Sequence, residues 1–145
     1  MHKEQLNSFE WALRDAGIAP CNLVSISSIL PPGCKIISRT EGLKLIKAGQ
    51  IAFVVMSRNQ TNEAHRLMAA SVGVAIPKRK NVHGYLSEHH SFGQTDDEAG
   101  AYAEFMAASM LASSLGEPFN LDKPHEKGEK HYELHKEIVD TRNIT

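Results

Sequence analysis

The strongest constraint on the fold is a single long helix announced by its own cap. Thr95-Asp-Asp-Glu98 is a capping box, in which serine-type and glutamate side chains at each end satisfy two backbone N–H groups that a helix leaves unpaired. Tyr102, Phe105, Met106 and Met110 follow at helical spacing, and Gly116 ends the run. That stripe of aromatics and methionines predicts the helix's core face. A helix with one apolar face needs a surface to bury it against, and the flanking segments supply strands rather than helices.

Upstream, Leu6, Phe9, Leu13 and Ala16 recur at helical spacing, which predicts a helix over 6–16 stopped by Gly17. Residues 21–29 are short and rich in β-branched side chains, which predicts one strand, ended by Pro31-Pro32-Gly33. A further short strand is expected over 35–37, and a brief helix over 41–47 capped by Thr40. The unbroken apolar run Ile51-Ala-Phe-Val-Val-Met56 predicts a strand buried on both faces. Two more strands are expected over 67–76 and 83–90, and a strand or helix over 131–139. The alternation gives an α/β or α+β class with sheet covered by helix, in one domain of 145 residues.

Composition narrows the function. Sixteen basic against 17 acidic residues leave a net charge of −1, without the basic excess of a nucleic-acid binder. No apolar run reaches the roughly 20 residues that cross a bilayer, and the first residues lack the apolar stretch of a signal peptide. The chain therefore reads as soluble and cytoplasmic, with no membrane partner. Cys21 and Cys34 fit neither a disulfide scaffold nor a C-x-x-C redox pair, and read as reduced thiols.

Several residue groups invite chemistry. His83, His89 and His90 cluster, and His131 and His135 stand one helical turn apart. Yet adjacent His89 and His90 point to opposite faces of a strand, and His131-Tyr-Glu-Leu-His135 displaces the glutamate of the zincin pattern. No metal is assigned. Lys78-Arg79-Lys80 reads as a solvated turn, and no G-x-S-x-G elbow supports a serine hydrolase. Ser27-Ser28, taken alone, is a hydroxyl pair bonding to nearby backbone.

Four segments change that reading. They are Ser8-Phe-Glu-Trp-Ala-Leu-Arg-Asp-Ala-Gly-Ile18, Asn22-Leu-Val-Ser-Ile-Ser-Ser-Ile-Leu-Pro-Pro-Gly33, Ala69-Ala-Ser-Val-Gly-Val-Ala-Ile-Pro-Lys78 and Gly84-Tyr-Leu-Ser-Glu88. In order and spacing they resemble the pyruvoyl-dependent arginine decarboxylases, over about residues 6–115. The resemblance implies a four-layer α/β/β/α sandwich of the pyruvoyl-dependent histidine/arginine decarboxylase type, assembled as trimers of αβ units with active sites between neighbours. It implies that a proenzyme cuts itself between Ser27 and Ser28 into a β chain, 1–27, and an α chain, 28–145. Ser28 Oγ attacks the Ser27 carbonyl, and elimination with loss of ammonia leaves residue 28 as a covalent pyruvoyl group. The turn after the pair is expected to hold the bond in a strained, exposed geometry.

The resemblance also implies roles. L-arginine forms a Schiff base with the pyruvoyl carbonyl and loses CO2 to give agmatine, a step of polyamine-related metabolism. Glu88 falls at the proton-donor position and needs an apolar pocket to stay neutral. Asn22 falls at the position of a residue near the scissile bond, donating to the Ser27 oxyanion or the substrate carboxylate. Glu10 falls where the family has an acid for the substrate guanidinium. Relatives are expected to carry an outer strand before the first helix and another after the last residues, and this chain is expected to lack both. The alternative reading is a family member that keeps the fold and serves as a structural or binding subunit.

Overall fold

The structure is a computed structural model, and it describes residues 5–119 and 132–137. In chain order the elements are α1 (Gln5–Ala16), β1 (Asn22–Ser25), β2 (Ile29–Leu30), α2 (Arg39–Leu45), β3 (Ile51–Val54), β4 (Met68–Pro77), β5 (Gly84–Phe92), α3 (Asp96–Leu115) and β6 (Tyr132–Glu137). The class is mixed α and β, as the alternation predicts. The described residues divide into two compact units, 5–26 with 35–54, and 27–34 with 55–119 and 132–137.

In the first unit β1 and β3 pair in parallel, with Asn22 against Ile51 and Val24 against Phe53. The ladder is extended at both ends by Asn22 N–H to Gln50 O and Ile26 N–H to Val54 O. The apolar run at 51–56 is not buried on both faces as expected. Ile51 is 59% and Phe53 69% exposed, while Ala52 and Val54 are half-buried. A two-strand ribbon within one chain has cover on one side only, and continuous apolarity in the sequence does not reveal that.

The short helix α2 starts two residues earlier than expected. Its cap is Ser38, whose Oγ accepts from Glu41 N–H while the Glu41 carboxylate accepts from Ser38 N–H at 3.1 Å. Thr40 lacks the glutamate three positions on, whereas Ser38 has it. Residues 35–37 form no strand.

The second unit is an antiparallel sheet in the order β2-β5-β4-β6, with α3 packed on one face. The alternation of strand side chains sorts the two faces. Ser71, Gly73 and Ala75 of β4, and Tyr85, Ser87 and His89 of β5, face α3. Buried Ser71 donates from Oγ to Ala99 O at 2.9 Å, Ala75 and Tyr85 pack with Ala107, Ala108, Leu111 and Ala112, and the His89 ring lies 4.5 Å from Tyr102.

The core face of α3 differs from the predicted stripe. Phe105 is buried, but Tyr102 is 45% exposed and Met106 and Met110 are only half-buried. The deeply buried positions are Ala99, Gly100, Ala103, Ala107, Ala108, Leu111 and Ala112. The reason is at Gly73: a Cβ there would sit inside the Ala103 carbonyl group and against Glu104 N. Helix backbone rests directly on strand backbone, which only small side chains permit.

The ends of α3 follow the sequence. Thr95 and Glu98 form the capping box, and Gly116 at φ 70° closes the helix, with its N–H to Ser113 O and Glu117 N–H to Ala112 O. Backbone and side-chain bonds from Thr95 hold Glu98 below its ordinary carboxylate value, and the Ser38 side-chain and backbone bonds do the same for Glu41. A carboxyl depressed in the folded state stabilises above its unfolded value, so both caps weaken as pH falls through the folded values. β6 answers the expectation of an element over 131–139 as a strand; His131 lies outside the described residues.

Candidate active site

The expected single strand over 21–29 is two strands in two different sheets. β1 pairs with β3, β2 pairs with β5, and the chain bends at Ser28 between them. The serine pair therefore sits at a strand junction, where no regular ladder occupies both sides of the backbone. Downstream, Cys34 N–H to Pro31 O at 3.1 Å, with Gly33 at φ 71°, makes a type II turn over Pro32-Gly33. This turn anchors the downstream flank, but the serines carry no left-handed strain. Among the described residues His65 is the non-glycine position with positive φ. The strained geometry expected for this bond is thus not seen in φ.

Hydrogen bonds organise the pair instead. Ile29 N–H donates to Ser27 O at 2.8 Å, and Leu86 N–H donates to Ser28 O at 2.8 Å. The second bond carries the β2–β5 register, Ile29 against Tyr85, one step further, so Ser28 stands against Leu86. Glu88 is then its diagonal neighbour, and such neighbours lie about 7–8 Å apart. Ser27 is exposed and Ser28 half-buried. The register thus puts Ser28 diagonal to Glu88, with Ser27 next to it in the chain.

Glu88 itself is exposed. Among the described residues no apolar pocket surrounds it, because α3 covers the Tyr85, Ser87 and His89 face of β5 and leaves the Leu86 and Glu88 face. Its partner in register is half-buried Val72 of β4.

Asn22 and Glu10 belong to the first unit. The Asn22 side-chain amide donates to Gly49 O at 2.9 Å, which fixes its orientation at the start of β1. Glu10 accepts from Arg14 Nε at 2.8 Å, one helical turn on, and the Arg14 guanidinium lies 5.6 Å from the Trp11 ring centroid. A carboxylate expected to take a guanidinium therefore already holds one from its own helix. An exposed pair of this kind is worth only about 0.3–0.5 kcal/mol, so it yields readily to a competitor.

Other candidates resolve plainly. Cys21 and Cys34 are free thiols. His89 Nε2 lies 2.8 Å from Gln94 Oε1 and His83 Nε2 3.4 Å from the Tyr85 hydroxyl. Among the described residues no three His, Cys, Asp or Glu side chains converge on a possible metal position. Lys78, Arg79 and Lys80 form an exposed bend and turn after β4. No described helix is long and apolar enough to cross a membrane. Sequence reasoning missed the Ile29 N–H, since side-chain identity carries no record of where a main-chain donor points.

The described fold is a mixed α and β chain with a serine pair at a strand junction and a carboxylate on the neighbouring strand. Comparison with known proteins gives its family. The family model described as "Pyruvoyl-dependent arginine decarboxylase (PvlArgDC)" matches residues 1–145. A protein of Nitrosopumilus maritimus (strain SCM1) named "Pyruvoyl-dependent arginine decarboxylase" is 58% identical over 145 residues, covering 100% of this chain and 79% of its own length. A Chlorobium phaeovibrioides protein named "Probable pyruvoyl-dependent arginine decarboxylase" is 55% identical over 144 residues, 99% of this chain and 80% of its own. A Methanococcoides burtonii protein named "Pyruvoyl-dependent arginine decarboxylase" is 52% identical over 141 residues, 97% of this chain and 78% of its own. The chain belongs to the pyruvoyl-dependent arginine decarboxylase family.

Proposed function

We propose that this protein is a self-processing lyase that converts L-arginine to agmatine and CO2. Family membership supports the reaction, and one bond in the fold supports the site: Leu86 N–H to Ser28 O, which ties the residue that becomes the pyruvoyl group to the strand bearing Glu88. Residue 28 suits that group. Its carbonyl is pinned, and residues 29–30 remain in the β5 ladder whether or not the bond before residue 28 is intact.

In this reading the chain cuts itself into 1–27 and 28–145. Ser28 Oγ bonds to the Ser27 carbonyl carbon, its proton passes to the Ser28 nitrogen, and the C–N bond breaks to leave an ester. Loss of the Ser28 α-proton expels the Ser27 carboxylate and leaves an enamine; a proton added to its β-carbon makes the imine, and water then replaces the imine nitrogen, releasing ammonia. Once formed, the pyruvoyl carbonyl supplies an electrophile and an electron sink for decarboxylation. The protein's own groups do the rest. Glu88 delivers a proton to the substrate α-carbon, Asn22 holds the carboxylate with an amide oriented by Gly49, and Glu10 exchanges Arg14 for the substrate guanidinium.

Glu88 must be neutral to act as an acid, and burial is what raises a carboxyl. A second copy of the chain is the proposed source of that burial, in a trimer of αβ units with the four-layer α/β/β/α arrangement. The exposed apolar face of the β1–β3 ribbon, Val24, Ile51 and Phe53, supports an assembly that covers it. Free thiols support a reducing, cytoplasmic setting.

The test is CO2 release from carboxyl-labelled arginine by protein whose mass has been measured intact. Agmatine formed by cut protein supports the reading. A folded chain that stays at 16.0 kDa and releases no CO2 overturns it and favours a binding subunit. Glu10→Ala is expected to raise KM for arginine about tenfold, the worth of a charge-assisted pair at about 1.4 kcal/mol. Glu88→Gln is expected to be cut normally but to lose about 100-fold or more in kcat, in the range of general acid catalysis; an unchanged rate removes Glu88 from the reaction.

A further inference from the structure

We infer that the main-chain N–H of Ile29 is the oxyanion donor of the self-cleavage reaction. This deepens the processing reading above and rests on it. When Ser28 Oγ adds to the Ser27 carbonyl carbon, the C=O electron pair moves onto the Ser27 oxygen as negative charge. That oxygen already accepts from Ile29 N–H at 2.8 Å in the uncut chain, so a donor stands beside the atom on which the charge develops. The contact spans two residues, so it closes a tight turn across Ser28 itself. The donor, the attacked carbonyl and the nucleophile's residue are consecutive in the chain.

Two features make the donor specific. Antiparallel ladders alternate, and β5 engages Ser28 through its carbonyl, so the Ile29 N–H points away from β5 and is not needed for the β2 ladder. Its placement beside Ser27 O is therefore an added feature of the junction and not a by-product of sheet pairing. The Asn22 amide, for which the family resemblance implies either this role or a bond to the substrate carboxylate, donates to Gly49 O. The exposed Ile29 side chain, at 39%, is not what holds the turn.

The experiment follows cleavage of fresh proenzyme by intact mass. Ile29→Pro deletes the N–H, and Ile29→Ala keeps it. Proline is expected to slow the cut by about 100-fold or more, the usual cost of losing one oxyanion donor, with alanine near the parent rate. Parent-rate cleavage of the proline chain, or alanine as slow as proline, overturns the inference. Where the proline chain fails to fold by far-UV circular dichroism, an ester in place of the 28–29 amide, introduced as the 2-hydroxy analogue of isoleucine, removes the donor and keeps a carbonyl, a weaker acceptor, for Leu86 N–H; an ester at 29–30 serves as the control for a weakened carbonyl. Slow cutting of that folded variant alone upholds the inference, and parent-rate cutting, or a control equally slow, overturns it. Either result leaves the Ser28→Ala test independent: cutting without the Ser28 hydroxyl defeats the processing reading itself.

Discussion

A Ser28→Ala chain is expected to run as one band on a denaturing gel, at the full 16.0 kDa, and the parent as two. Alanine has no oxygen to form the ester and no leaving group on its β-carbon, so both halves of the chemistry stop. The fold should survive. Ser28 is half-buried, and its structural tie is a carbonyl that alanine retains. The companion change Ser27→Ala removes a hydroxyl but leaves the attacked carbonyl, and is expected to be cut. Two bands from Ser28→Ala would move the site.

In the parent the cut should be invisible under native conditions. The upstream piece keeps the parallel β1–β3 ladder, Gly49 N–H to Pro20 O and the Asn22 side-chain bond. The downstream piece keeps β2 on β5. Each side of the broken bond is thus fastened to a different sheet, which lets a protein sever its backbone without falling apart.

The second large effect is on stability. Gly73→Ala is expected to cost about 3 kcal/mol, the upper end for overpacking, because the obstacle is the backbone of α3 and no rotamer change relieves it. That corresponds to a fall in Tm of roughly 10 °C for a chain of this size. Thermal unfolding in the uncut Ser28→Ala background measures it on a single chain. Adding Ala103→Gly should not restore stability, since the clash is with the Ala103 carbonyl group and Glu104 N. A rescue would show that the side chain, not the backbone, is the obstacle.

Much of this was legible before any coordinates. Local chemistry fixed the long helix: Thr95 and Glu98 satisfy its first N–H groups, and Gly116 alone tolerates the left-handed closing turn. The same local logic holds at Ser38 and Glu41, which cap α2 where Thr40 is expected to. Family resemblance pointed to Ser27, Ser28 and Glu88, and the sheet register places Ser28 diagonal to Glu88.

The rest required tertiary structure, because it depends on which surfaces meet. Periodicity marked Tyr102, Met106 and Met110 as the core side of α3, yet Gly73 lets the helix approach so closely that alanines fill the contact. An apolar run cannot say whether one face or two are covered, and Phe53 lies open. Nor does the sequence show that residues 22–30 divide between two sheets. Hydrophobicity and caps are properties of neighbours along the chain, so the sequence by itself determined the mixed class and both ends of the long helix α3. Where a carbonyl finds its donor is a property of neighbours in space, and only the fold decided that the bond before Ser28 lies at a junction with Ile29 N–H on its oxygen.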